Sequence, residues 1–269
     1  MAMTLDTLQS QRAQRFTVAL AETAGAVREA QKLRYKIFAG ELGAAIDGGP
    51  DNVDRDHYDD YCRHLVVREP LDGRIVACTR ILTDDQAPRA GGFYSSNEFD
   101  LRMLDSLPGR VMEVGRTCVD ADYRTGAVIS ALWTGLADFF TYYGFDYLFG
   151  CASISLEDGG ATAHALLTQI KAKYMAPSWQ RVRPLIPLPT ADARTELKPK
   201  MPPLLKAYFS LGAKACGEAY WDRDFNCADV FVLVSVDDLQ ARYARHFVQR
   251  GRSTDGGEVF VPGLLTRPR

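Results

Sequence analysis

Apolar and polar positions along this chain predict strands and helices in turn. Val27, Ala30, Phe38 and Leu42 recur at spacings of three, four and their multiples, which predicts a helix over residues 24–42 with Gly43 as its C-cap. FTVAL (16–20) predicts a strand before it. HLVVR (64–68) and RIVACTRIL (74–82) are apolar runs joined by Pro70, Asp72 and Gly73, the composition of a hairpin. A short helix is expected over 97–105, capped by Ser96 or Asn97. RVMEVGRTCV (110–119) predicts a strand, 127–143 a helix, FDYLFGCASI (145–154) a strand and 157–173 a helix. Residues 204–217 look helical, ADVFVLVSV (228–236) predicts a late strand, and a further helix is expected from Asp237 and Asp238. This order predicts a mixed α/β fold, a sheet with helices on both faces. The expected organisation is one domain over 15–248, with an irregular proline-rich arm at 174–203 and flexible tails at 1–14 and 249–269.

Composition narrows the classes. At 269 residues, 46% hydrophobic and 25% charged, the chain has the balance of an ordinary globular protein. A net charge of -2 argues against a nucleic-acid binder. No apolar run approaches the roughly 18 residues needed to cross a bilayer, and the N-terminus lacks an apolar signal region, so a cytoplasmic location is expected. Six cysteines form no CxxC pair and only four histidines are present, so no metal site is expected; the thiols read as buried and free.

The candidate chemistry lies in charges placed among apolar residues. Arg34 shares a helix face with Ala30 and Phe38, and a guanidinium there needs a partner. The loop VDRDHYDDY supplies Asp54, Asp56, Asp59 and Asp60; it lacks the Gly and Glu of a calcium loop and, next to an arginine-bearing helix, suits gripping an ammonium group. Arg80 has apolar neighbours on both faces of its strand, so it must be paired or line a cleft. Glu113 and Arg116 occupy another apolar strand, where residues three apart normally face oppositely; Gly115 between them would permit a bulge. A carboxylate there can position an amine or accept its proton. Arg124, Thr125, Gly126 and Ala127 form a turn into a helix N-terminus, a place that suits a phosphate.

Taken together these residues resemble the GNAT acyltransferase superfamily. The Arg124–Ala127 turn stands where that superfamily has its acyl-CoA loop, but with one glycine only, which fits a carrier phosphopantetheine better than a coenzyme A diphosphate. Arg34 and Phe38, then Asp54, Asp56 and Asp59, then Arg80, then Glu113 and Arg116 resemble the acyl-homoserine lactone synthases. The strings GGFYSSNEFDL, MEVGRTCV, DYRTGAVISALWTGLADF and PPLLKAYFSLGAKACGEAYWDRDF are more similar to the ornithine-lipid N-acyltransferases, also called hemolysin-like, over residues 30–248. That resemblance implies a GNAT-like fold with a central, mostly antiparallel sheet and a C-terminal extension. It implies transfer of a 3-hydroxyacyl group from acyl carrier protein to the α-amine of ornithine, with no tightly bound cofactor. It also implies that the strands 110–119 and 145–154 part to admit the thioester. Glu113 and Arg116 are then the candidate catalytic pair. Arg34, Phe38, Asp54, Asp56, Asp59 and Arg80 are the substrate-binding set, and Arg124, Gly126 and Ala127 the donor turn. Lactone synthesis with S-adenosylmethionine and acetyl transfer from acetyl-CoA are the alternatives.

The arm adds a partner surface. Residues 168–206 carry eight Lys or Arg against Asp192 and Glu196. A basic rim including Arg181, Arg183, Lys198 and Lys200 suits an acidic carrier protein, and equally a peripheral contact with the anionic inner membrane. Trp179, Leu185, Ile186 and Leu188 lie in the same stretch, toward a membrane or the core.

Overall fold

The computed structural model describes residues 16–190 and 197–239, so the expected tails, the end of the final helix and the acids Asp192 and Glu196 lie outside the described residues. The described residues form two compact units, one within 1–82 and 115–139, the other within 83–114 and 140–269.

In the first unit, strand β1 (Thr17–Leu20) pairs antiparallel with β2 (Arg63–Arg68), and β2 with β3 (Ile75–Thr83), as the hairpin composition predicts. The second half of β5 (Val111–Val119) neighbours β3, with Thr79 and Thr117 sharing a hydroxyl hydrogen bond of 2.7 Å. Every residue of β3 is buried, so the polar side chains it carries, Thr79, Arg80 and Thr83, are out of water with its apolar ones. Helix α1 (Ala24–Tyr35) starts where Thr23 accepts from the Ala26 N–H. Its apolar stripe, Ala30, Leu33 and Ile37, packs on Val66, Ile75, Cys78 and Cys118. The expected helix over 24–42 changes character: Lys36–Glu41 is a π-helical turn, which the Leu42 N–H closes on the Ile37 carbonyl. Such turns are rare and recur at functional sites. Helix α2 (Gly126–Tyr142) follows β5.

In the second unit the first half of β5 pairs parallel with β6 (Tyr147–Ser155), and β6 pairs antiparallel along its whole length with β10 (Cys227–Ser235). Short strands β8 (Lys214–Ala215) and β9 (Tyr220–Asp222) flank β10. Helix α3 (Ala161–Tyr174) and helix α4 (Pro203–Ser210) complete the unit. Phe99, Val111, Phe149, Val182, Phe231 and Leu233 form its core.

Two expectations are corrected here. No helix spans 97–105: short 3-10 turns (Tyr94–Asn97 and Arg102–Ser106) bracket a two-residue strand β4 (Phe99–Asp100), which pairs with β7 (Arg183–Pro184). Phe99 is a core residue, and its extended pairing with the arm outweighs the local helical signal. Helix α4 ends at Ser210 rather than 217, because Gly212 takes a left-handed φ of 104° and the chain turns into β8. The arm is irregular but anchored: Val182 donates to Cys216, Leu188 to Ala219, and Trp221 to Ile186. Trp179, Leu185 and Ile186 are exposed rather than packed into the core.

The β5–β6 ladder runs from Val111–Tyr147 to Glu113–Phe149. At the next position Gly150 lies so close to Val114 that an added Cβ would stand 2.1 Å from the Val114 carbonyl oxygen. Gly150→Ala is expected to lower stability by about 1–3 kcal/mol through overpacking against backbone. Gly115→Ala, which meets nothing within 4 Å, should leave it nearly unchanged. Paired thermal melts check both.

Candidate active site

One cluster lies in the first unit and is built around Arg34, whose side chain is 1% exposed. Its Nε donates to Asp54 Oδ2 at 2.8 Å and its NH1 to Asp59 Oδ1 at 2.5 Å. NH2 reaches the Asp54 carbonyl at 2.8 Å and Asp59 Oδ2 at 3.1 Å, a fork filled on both prongs. Arg80 NH1 donates to Asp56 Oδ1 at 2.6 Å and to Asp59 Oδ2 at 3.3 Å, and its guanidinium stands over the Tyr58 ring. Arg116 completes the set, 3.3 Å from Asp54 and 3.6 Å from Asp56. Arg116, not Gly115, takes the left-handed conformation, with φ 51°. A non-glycine residue there is strained, and the strain turns Arg116 toward the aspartates.

The spacing of the aspartates has a local cause. Asp56 caps a 3-10 turn over His57–Asp60, accepting from the Tyr58 N–H, while Asp59 reaches back to the Asp56 N–H. This capping box holds both carboxylates toward the arginines. Burial alone would raise the Asp59 pKa, but its hydrogen bonds with Arg34 and the charges of Arg34 and Arg80 hold it well below the usual carboxylate range. His64, against Asp59, is pushed down by burial and is neutral at pH 7.

Exposure divides these residues. Arg34, Asp54, Asp59 and Arg80 have side chains at most 4% exposed, whereas Asp56 is 25% and Arg116 14% exposed. Asp56 Oδ2 has no hydrogen-bond donor among the described residues. Phe38 lies in the π-helical turn and packs beside the core of this unit. Arg124 is held by an ion pair with Glu41 and by the Val119 carbonyl; Gly126 and Ala127 are exposed at the start of α2.

A second cluster lies in the second unit around Glu113, which is 4% exposed. Hydrogen-bond donors meet its carboxylate. Tyr94 N–H donates to Oε2 at 2.7 Å, and Ser95 donates to Oε1 from its N–H at 2.7 Å and its hydroxyl at 2.5 Å. A 3-10 turn thus directs two backbone dipoles and a hydroxyl at one carboxylate. Ser95, Tyr94 and the buried Glu98 behind them were not singled out from sequence; a loop serine carries no periodic signal. Asp222, Cys227 and Asp229, also unforeseen, put potential ligand atoms within 4.8 Å of one another. Their oxygens already accept bonds, Asp229 from Ser153 and Cys227, Asp222 from two backbone N–H groups.

The arm's Arg181, Arg183, Lys198 and Lys200 are exposed, Arg181 also donating to the Ala176 carbonyl. Lys200 lines a pocket of about 610 Å³ with Lys173, Lys206, Tyr174, Met201 and Pro203. Among the described residues no helix is long and apolar enough to cross a membrane.

Two measurements test the first cluster. Arg34→Met strands two buried carboxylates and should cost about 3–5 kcal/mol in urea unfolding. Asp59 and His64 both have folded pKa values below their unfolded ones, so each contributes stability that is present above the unfolded value and lost as pH falls. Stability should therefore decline below about pH 6.5 through His64 and again below about pH 4 through Asp59. His64→Gln should remove only the upper step.

Comparison with known proteins bears on fold and family. Residues 33–134 match the acetyltransferase (GNAT) domain family. Among solved structures, an N-acyl amino acid synthase from uncultured soil microbes superposes with a TM-score of 0.50 at 13% identity, covering 85% of this chain and 94% of that one. A CoA-dependent acyl-homoserine lactone synthase, BjaI, gives 0.51 at 15% identity, over 86% of this chain and 88% of its own. At that identity the likeness is one of fold, and the fold is the GNAT-like mixed α/β architecture. The L-ornithine N(alpha)-acyltransferase of Rhodobacter capsulatus is 34% identical over 253 residues, 87% of this chain and 95% of that protein. That of Rhizobium meliloti is 32% identical over 260 residues, 90% of this chain and 86% of its own. Likeness at this level over nearly the whole length places the chain in the L-ornithine N(alpha)-acyltransferase family.

Proposed function

We propose that this protein transfers a 3-hydroxy fatty acyl group from acyl carrier protein to the α-amine of L-ornithine, giving a lyso-ornithine lipid. The observation that carries the reading is the Glu113 carboxylate, buried on an apolar strand and held by three donors. An amine arrives as ammonium and must lose a proton before it attacks the thioester. The new N–C bond forms as the C–S bond breaks. One proton ends on the carrier thiol and one leaves to solvent. Glu113, directly or through one water, receives the first proton.

The roles of the other residues follow their exposure. Arg116 and Asp56, the accessible members of their cluster, meet the charged groups of the amino acid. Arg34, Asp54, Asp59 and Arg80 hold those two in place, and Phe38 lines the approach. Arg124, Gly126 and Ala127 face the donor's phosphodiester. The basic arm, with Arg181, Arg183, Lys198 and Lys200, receives the acidic carrier or rests on an anionic cytoplasmic membrane face.

Mass spectrometry of lipids from cells expressing the chain tests the whole reading. Appearance of N-acyl-ornithine is expected, and its absence with soluble protein present would sink the idea. With purified protein, acyl carrier protein should outperform acetyl-CoA as donor, and S-adenosylmethionine should not be consumed. Glu113→Gln should lower turnover roughly 10²–10⁴-fold with little change in melting temperature. Reversing the four arm cations to Glu should slow turnover at low carrier concentration. That effect should fade with salt, since exposed charges are screened over about 8 Å at physiological ionic strength.

A further inference from the structure

Between helices α3 and α4 of the second unit lies a pocket that the proposed chemistry leaves unassigned. It holds about 610 Å³ and is lined by Gln169, Lys173 and Tyr174 of α3, Lys200 and Met201 at the end of the arm, and Lys206 of α4. Small-molecule sites span roughly 300–1,000 Å³, so the space suits an organic ligand and not only an ion. Gln169 and Lys173 are four residues apart and share one face of α3. Packing fixes the walls: the Tyr174 ring stacks on Phe209 with centroids 4.1 Å apart, and Leu205, Tyr208 and Phe209 of α4 are buried. Three separate segments thus each bring one ammonium group to one cavity.

These charges are not spent elsewhere. The lysines with a carboxylate partner among the described residues are Lys36, on Asp120, and Lys171, on Glu218. Lys171 is the informative contrast. It stands two positions before Lys173, on another side of α3, and Glu218 meets it at 2.5 Å. A helix C-terminus favours both lysines, yet the counter-charge goes to the one outside the pocket. Helix α4 adds charge of the same sign. It opens at Pro203, which also lines the pocket, and its first hydrogen bond runs from the Lys206 N–H to the Pro202 carbonyl at 2.9 Å. The Leu204 and Leu205 N–H groups precede that bond, so this end carries the partial positive charge of a helix N-terminus.

We propose that this pocket binds a phosphate ester, the anion lying among Lys173, Lys200 and Lys206 and the organic part against Tyr174, Met201 and Pro203. Like charges gathered around one cavity repel, and an anion relieves them. Ammonium groups act on phosphate oxygens as point charges, whereas a planar carboxylate is better matched by the arginine fork that this pocket lacks. The apolar wall is what a bare ion would not need. Neither ornithine nor its N-acyl product carries phosphate, so the site is not the amino acid's. Two sources offer the same chemistry, a soluble glycerol phosphate and the headgroup of an anionic phospholipid. Lys200 is shared with the basic arm, but Lys173 and Lys206 have no part in the acyl-transfer reading, and the proposal stands apart from it.

Binding is measured with ornithine and acyl donor absent, so a failure of the acyl-transfer reading leaves the result intact. Glycerol 3-phosphate is titrated calorimetrically, and vesicles of phosphatidylglycerol mixed with phosphatidylcholine are cosedimented with the protein. The parent should bind at least one of the two above the level of phosphatidylcholine alone. Lys173→Gln combined with Lys206→Gln should weaken that binding about tenfold or more, the factor expected for lost charged hydrogen bonds. Both lysines are exposed, so the melting temperature should stay at the parent's. Lys171→Gln removes the same charge from the same helix outside the pocket and should change binding less than about twofold. Heat with glycerol 3-phosphate assigns a soluble ester, and vesicle binding without that heat assigns a lipid headgroup. The proposal is overturned if neither is bound, or if the double variant binds no worse than Lys171→Gln. It is also overturned if neither is bound and the double variant only slows turnover at low acyl carrier protein, for the lysines then serve the carrier.

Discussion

A guanidinium removed from water fixes much of the first unit. Arg34 projects from a helix whose neighbouring positions pack into an apolar core, so it cannot turn outward without carrying the helix with it. Its charge must be met where it lies. Asp54 and Asp59 meet it, and their positions in turn require the capped turn at Asp56. Arg80 and Arg116 then balance the remaining carboxylate charge. In a low-dielectric setting such a set holds together only when every member is present, since one missing partner leaves a buried charge uncompensated. What looks along the chain like a solvated acidic loop is thus the counter-charge of three arginines.

The two clusters solve the problem of a buried carboxylate differently. Asp54 and Asp59 are met by full positive charges, and the hydrogen bonds and charge of Arg34 with the charge of Arg80 make Asp59 a poor proton acceptor. Glu113 is met by backbone N–H groups and a hydroxyl, dipoles rather than charges. Backbone N–H groups and a hydroxyl compensate a carboxylate through dipoles fixed by the turn that carries them.

Much of this was legible in the sequence, for identifiable reasons. Charges in apolar runs stand out because they are costly: Arg34, Arg80, Glu113 and Arg116 were found by that sign, and three of them share one cluster with the acidic loop. The hairpin and the long strands were visible because period and turn residues agreed. The 97–105 segment misled because its structure is imposed from outside, by Pro184 of the arm pairing with a core phenylalanine. A backbone irregularity was expected at Gly115, yet the left-handed residue is Arg116, and its ion pairs offset a strain that glycine would not need to bear. Ser95 escaped notice because its meaning arises only when the Tyr94–Asn97 turn meets the strand that carries Glu113.

The contact between Gly150 and the Val114 carbonyl also acts as a key in a lock. If β6 slid by one residue against β5, Phe149 or Cys151 would arrive where only a hydrogen atom fits. Backbone hydrogen bonds alone tolerate such a slip, because a parallel ladder repeats itself, but a side chain cannot share space with a carbonyl oxygen. Exclusion by size therefore sets the phase of Glu113 along its strand. The residue that chooses where the carboxylate points is one with no side chain at all.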